Sequence, residues 1–250
     1  MLNSYRKLCT EFYDTDKPTA PPDALAFYRR YAEEANGPIL EPMCGSGRFL
    51  VPLAEAGFDI DGSDASPDML DACRRKCEAR GLTPNITEQF LDKLETTRQY
   101  ALIFIPAGSF GLITDQQSAK ESLRRIHNAM LPGAKLVLEV PVRTLTESCS
   151  WPWGGRWIDR ADGARLIVSW MGRYDADERV SHSINRYELV KDGKLLDTEF
   201  ESFDLRSYDR EEITALLQEA NFTEIKASVD YAGTPFVDIG DELIIECSKA

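Results

Sequence analysis

Between Gly37 and about Arg143 the chain alternates short apolar runs with helical stretches, and few folds accommodate that alternation. "PILEP" (38–42) reads as a strand, "RFLVPLAEAG" (48–57) as a helix despite Pro52, and "FDIDGSD" (58–64) as a second strand. Ser66 is placed to cap the next helix, with Pro67 at its first position and Met69, Leu70, Cys73 and Cys77 as its apolar stripe up to Gly81. A weaker strand follows around Ile86 to Phe90, then a strongly apolar one from Tyr100 to Gly108. "SAKESLRRIHNAML" (118–131) reads as a helix broken by Pro132-Gly133, and "AKLVLEVPV" (134–142) as another buried strand. Apolar strands joined through helices imply a doubly wound sheet, because parallel neighbours need a crossover and helices then cover both faces.

From Trp151 to Leu205 the pattern changes to long alternating strands separated by turn signals such as "DADE" (175–178) and "KDGK" (191–194). Leu166, Val168 and Trp170 share one parity, and Val180, His182 and Ile184 share another face. The expectation is an antiparallel sheet at 146–205 inserted into an α/β domain made of 37–145 and 206–250. In the second part "DREE" (209–212) opens a helix with Ile213, Leu216 and Leu217 inward, and "TEIKASVDY" (223–231) and "DELIIECSK" (241–249) close the chain as strands. Residues 1–36 hold a proline-rich entry, "KPTAPPD" (17–23), and a helix to about Ala35 with Leu25, Tyr28 and Ala32 on one stripe.

A net charge of −13 argues against a nucleic-acid partner, since phosphate backbones demand a basic surface. No apolar run approaches the roughly 18–20 residues that span a bilayer, and the first residues lack a signal-type apolar region, so a cytoplasmic protein is expected. The six cysteines show no C-x-x-C pair and no zinc spacing, which favours reduced structural thiols and no metal.

Chemistry concentrates in "LEPMCGSGRF" (40–49). Gly45 and Gly47 permit a sharp turn and a close ligand, and the following helix offers free N–H groups; a plain strand-to-helix turn needs the same glycines. A nicotinamide fingerprint would require a third glycine where Leu50 stands, and Glu41 disfavours a nearby pyrophosphate. Glu41 suits a cation, an ammonium or a sulfonium. Asp64, ending the second strand, can take both hydroxyls of a ribose or cap the next helix, although Ser66 already offers a cap. A nucleoside at Asp64 and a cation near Glu41 together describe S-adenosylmethionine.

With these residues the chain resembles the class I S-adenosylmethionine-dependent methyltransferases over essentially its whole length. "ILEPMCGSGR" resembles that family's acid-x-G-x-G-x-G motif and "GSDASPDML" its G-x-D-x-S-x-x-M-L segment; "YALIFIPAGSF" and "LRRIHNAMLPGAKLVLEV" resemble its fourth and fifth strands. The resemblance implies a Rossmann-like, mostly parallel sheet with an antiparallel last strand, plus an antiparallel lid. It implies that Glu41, Met43, Cys44, Gly45, Gly47 and Arg48 hold the methionine part, that Asp64 and Ala65 meet the ribose, and that Met69 lies near adenine. Gln89, Phe90 and Leu91 after the third strand, Ile105, Pro106 and Ala107 after the fourth, and Tyr13 from the N-terminal segment complete the expected cofactor set. Met43 stands where the family has glycine, Phe90 where it has an acid, with Asp92 close by, and Ala101 where it often has Asp. Phe90 would either stack on adenine or belong to the core.

For the acceptor, "IPAGSF" is not the N-P-P-Y/F element of base-amine methylation, which favours a small molecule methylated on nitrogen or oxygen. Trp151, Trp153 and Trp157, with Trp170 and Phe110, would wall its pocket or simply form the lid's own core. Tyr5 and Phe12 are further candidates to close over the cofactor. His182 is the one candidate base in the lid, against a purely structural role; His127 is expected to face solvent. The expected activity is methyl transfer by a monomer or homodimer, yielding S-adenosylhomocysteine; a nucleoside-binding protein without transfer and a nicotinamide oxidoreductase are the rivals.

Overall fold

The computed structural model describes residues 4–142, 147–235 and 242–250, and the expected boundary at 145/146 lies outside them. Two helices come first, α1 (Lys7–Asp16) and α2 (Pro22–Glu34). Pro22 sits in the first turn of α2, where its missing N–H has no intrahelical role, and the buried stripe is Phe27, Tyr28, Tyr31 and Ala32. Then follow β1 (Ile39–Pro42), α3 (Leu50–Glu55), β2 (Ile60–Asp64), α4 (Pro67–Glu78) and β3 (Ile86–Glu88). The Ser66 hydroxyl accepts from the Met69 N–H at 3.1 Å, so the cap of α4 forms as its sequence predicts.

β4 (Tyr100–Ile105), α5 (Gln116–Ala129) and β5 (Met130–Pro141) complete the winding. The helix expected to run to Leu131 stops at Ala129, and the strand begins at once with Met130 pairing Tyr100. The Lys249 ammonium accounts for the early stop, donating to the carbonyls of His127 and Met130 at 2.9 Å each and satisfying the end of the helix. Five parallel strands with β10 (Phe222–Ser228) and β11 (Glu242–Lys249) form one sheet in the order β10-β11-β5-β4-β1-β2-β3. β11 runs antiparallel to β5, with Ile245 opposite Leu138.

β4 shows why such strands read as continuous apolar runs. Ile103 and Ile105 pack among α5-side residues such as Leu123 and Ile126, while Leu102 and Phe104 pack with Tyr28, Leu50 and Leu70 on the opposite face. After β3 the chain returns to the other side of β1, so a crevice opens between the carboxyl ends of β1 and β4.

β6 (Cys149–Asp159), β7 (Arg165–Asp175), β8 (Val180–Lys191) and β9 (Lys194–Arg206) form a separate antiparallel sheet in that order. Leu166, Val168 and Tyr187 on one face bury Leu8, Cys9 and Phe12 of α1. α6 (Arg210–Glu219) follows, capped by Asp209, which accepts from the Glu212 N–H at 2.7 Å. His127 is half-buried rather than solvent-facing, edge-on to the Phe222 ring at 5.1 Å. Among the described residues no helix is long and apolar enough to cross a membrane.

Candidate active site

The loop leaving β1 is built from left-handed backbone. Gly45 and Gly47 have φ of +53° and +82°, and Met43 adopts φ +58°, the conformation a glycine would take there freely. Met43 thus takes a left-handed backbone where the resembled motif has glycine, at the cost of local strain. A Cβ on Gly47 would stand 2.6 Å from the Cys73 sulfur, so this glycine sets the loop against α4 rather than facing a ligand. Leu50 has its counterpart opposite. A Cβ on Gly62 would lie 2.4 Å from Leu50 Cδ1, so the close helix-to-strand approach uses a glycine of β2 instead of one in α3.

Asp64 ties this loop to the second strand. Its two carboxylate oxygens accept from the N–H groups of Gly45 and Ser66, both at 2.8 Å, and keep further lone pairs for a ligand. Burial raises its carboxyl above the ordinary range, against the pull of those backbone donors. Glu41 at the end of β1 is buried, and its Oε2 has no hydrogen-bond partner. Loss of water, then the neighbouring Cys73, push its carboxyl well above the usual range, against the opposing pull of a Leu50 backbone hydrogen bond and of Arg48. Arg48 donates to the Tyr13 hydroxyl at 2.8 Å and keeps an unpartnered, buried Nε.

α1 reaches the loop as well. Asp14 accepts from the Lys76 ammonium at 2.7 Å and from the Ser46 hydroxyl. On the far side, the left-handed Ala107 (φ +57°) donates its N–H at 2.7 Å to the fully buried Glu139, which also accepts from the hydroxyls of Tyr28 and Tyr231. The turn after β4 is thereby held from within the core.

These elements enclose a cavity of about 440 Å³. Of the residues expected to hold the cofactor, Glu41, Met43, Cys44, Gly45, Arg48, Asp64, Ala65, Met69, Gln89, Phe90, Leu91, Pro106, Ala107 and Tyr13 all line it. Gly47 and Ile105 do not: the first faces α4, and the second is buried inside the sheet. Phe90 is not core, being 41 % exposed and turned to the cavity together with Asp92. Tyr5 lines the cavity, whereas Phe12 packs on Tyr187 of the second sheet.

None of the residues expected to wall an acceptor pocket is there. Trp151, Trp153 and Trp157 lie on β6, the edge of the second sheet farthest from β9, and β9 is the strand that reaches the cavity. Trp151 covers Gly172 and Trp170 covers Gly154 across the sheet, while Trp153 and Trp157 are exposed beneath the guanidinium groups of Arg186 and Arg165. Phe110 is fully buried beside Tyr208. Among the lining residues that were not anticipated are Ser109, Leu112, Ile113, Thr114 and Asp115 from the segment between β4 and α5, Ser118 and Ser122 on α5 itself, and Ser202 and Asp204 from β9. Asp115 caps α5, accepting from the Ser118 N–H at 2.7 Å. Nothing local marks which lid strand reaches the cavity. His182 stands one residue behind its wall, with Nδ1 3.1 Å from the Asp204 carboxylate.

Residues 39–133 match the methyltransferase domain family. Among curated proteins, one named as a methyltransferase in Geobacillus sp. (strain WCH70) is 26 % identical over 134 residues, 52 % of this chain and 54 % of that protein. The match therefore spans about half of that relative's length. The whole fold is similar to an S-adenosylmethionine-dependent methyltransferase from Clostridium acetobutylicum ATCC 824, with TM-score 0.77 and 16 % identity over 98 % of this chain and 99 % of that one. It is also similar to the sugar N-methyltransferase KedS8 from Streptoalloteichus sp ATCC 53650, with TM-score 0.76 and 17 % identity over 96 % and 92 % of the two chains.

Proposed function

We propose that this chain is an S-adenosylmethionine-dependent methyltransferase of the class I type and that it methylates a basic nitrogen of a small polar molecule, a reading supported by the matched methyltransferase domain and the similar folds. The observation that carries the cofactor assignment is the buried, unpartnered Glu41 oxygen beside Arg48 in the same cavity as Asp64. An amino-acid tail has one ammonium and one carboxylate, and Glu41 and Arg48 are the complementary pair. Asp64 takes the ribose hydroxyls, and Phe90 with Met69 and Leu91 takes the adenine.

When bound, the cofactor supplies a sulfonium methyl already activated for in-line displacement, leaving S-adenosylhomocysteine. The protein's task is then alignment, worth up to roughly 7–11 kcal/mol when reacting groups are well placed. Glu139 fixes the turn at Ala107, while Tyr5 and Tyr13 shield the cavity from water.

The other end of the cavity carries serine and threonine hydroxyls, Asp115 and Asp204 around the apolar Leu112 and Ile113, and Arg48 is the only basic residue among the described lining residues. Such a wall favours a hydroxylated cation over an anion, and a nitrogen over an oxygen nucleophile. The sugar N-methyltransferase similarity supports the same class. The acidic charge favours a small molecule over nucleic acid, and six free thiols favour a reducing, cytoplasmic setting. Incubation with ¹³C-methyl S-adenosylmethionine and a low-molecular-mass cell extract should give a labelled product whose methyl carbon shift is that of an N-methyl group. Label on oxygen or carbon overturns the nitrogen assignment, and no label in any small molecule overturns methyl transfer to such acceptors.

A further inference from the structure

Asp204 belongs to a row of charged side chains leading out of the cavity. Its cross-strand partner on β8 is His182, whose Nδ1 lies 3.1 Å from Asp204 Oδ1. On the other side of the ring, Nε2 lies 3.5 Å from Glu178 Oε2; this nitrogen is buried and has no aligned hydrogen bond. Glu178 is the most open of the three to water, its side chain 64 % exposed against 29 % for His182 and 41 % for Asp204. Arg173 is the β7 partner of His182 and pairs with Asp175 at 3.3 Å. Asp175 in turn accepts from the N–H groups of Asp177 and Glu178, which fixes the turn carrying Glu178. The charged groups around His182 are therefore Asp204 and Glu178 against its two nitrogens, with Arg173 and Asp175 on the adjacent strand.

We propose that Asp204, His182 and Glu178 form a proton exit that turns an ammonium acceptor into a nucleophilic amine. The inference rests on the nitrogen-methylation reading. A protonated amine has no free electron pair, so one proton must leave for each methyl accepted. Asp204 holds the ammonium and takes its proton, leaving the pair on nitrogen. His182 accepts that proton at Nδ1, restoring the Asp204 carboxylate, and releases one from Nε2 to Glu178, which passes it to water. Solvent exchange returns the imidazole to its starting tautomer. Asp204 touches the acceptor; His182 acts through Asp204.

The test compares wild type, Asp204→Asn, His182→Gln and His182→Ala, using ¹³C-methyl S-adenosylmethionine and the component of the extract that takes the label. S-adenosylhomocysteine affinity by calorimetry should stay within about twofold in all variants, which separates this proposal from the cofactor assignment. Asp204→Asn should lower kcat/KM about 100-fold near neutral pH, and the deficit should shrink about tenfold per pH unit as solvent supplies neutral amine. His182→Gln keeps a group able to hold Asp204 but cannot pass a proton, so it should resemble His182→Ala. A label on a non-basic atom, or a deficit independent of pH, overturns the proton exit. A wild-type pH profile in His182→Gln reduces His182 to a positioning residue and overturns its place in the path.

Discussion

Glu41 is the residue whose chemistry was most readable in sequence and most sharpened by structure. A carboxylate beside a glycine loop argues for a cationic ligand; the structure adds that it is buried with one oxygen unpartnered. Its raised pKa has a definite sign. Burial favours the protonated form, so its contribution to stability is present below the unfolded carboxylate range and is lost as pH rises through the raised value. A ligand ammonium reverses the preference. Binding of S-adenosylhomocysteine, which keeps that ammonium, should release a proton from Glu41 and tighten as pH rises through the same window. Calorimetry in two buffers of different ionisation enthalpy should detect the proton in wild type and not in Glu41→Gln; equal release in both removes Glu41 from the ammonium. Met43 stands where the methyltransferase motif has glycine, and Leu50 where a nicotinamide fingerprint would have one. Their compensations, a strained backbone at 43 and a glycine on the facing strand, are tertiary facts that a linear motif does not encode.

At the scale of elements, α1 shows what holds the lid to the cofactor loop. No side chain caps its N-terminus locally. Instead Glu201 of β9 accepts from the N–H groups of Tyr5 and Arg6 at 3.0 and 2.7 Å, and Glu199 from Leu8 at 2.8 Å. Carboxylates at a helix N-terminus are favourable, and these come from nearly two hundred residues away in sequence, so neither the cap nor its strand could be found by spacing. Glu201→Ala should lower unfolding free energy by about 1–3 kcal/mol in denaturant titrations, because two half-buried donors lose a charged acceptor. It should also weaken S-adenosylhomocysteine binding, since Tyr5 and Tyr13 ride on this segment; unchanged stability and binding would show that α1 docks without the cap. The lid strands themselves were legible from alternation. The role given to their tryptophans was not, because aromatic residues on an edge strand obey the same period whether or not that edge meets the cavity.

At the scale of the whole molecule, strand–helix alternation was enough to read a doubly wound sheet, and the observed strand order opens its crevice where the order reverses. Most of the residues that the family resemblance implied for the cofactor line this one cavity, because they sit at the strand ends that border the crevice. The end proposed for the acceptor draws on the segment after β4, on α5 and on one strand of a separate sheet, and their meeting depends on how the two sheets are packed. The account's central claim is that this cavity is an S-adenosylmethionine site with Asp64 as its ribose ligand. Calorimetric titration of S-adenosylhomocysteine and NADH into wild type and Asp64→Ala tests it most directly. The prediction is one S-adenosylhomocysteine per chain with no NADH binding, and an affinity at least about tenfold weaker in Asp64→Ala, the loss of one charged hydrogen-bonding group. NADH binding without S-adenosylhomocysteine binding, or an Asp64→Ala protein with wild-type affinity, would contradict it.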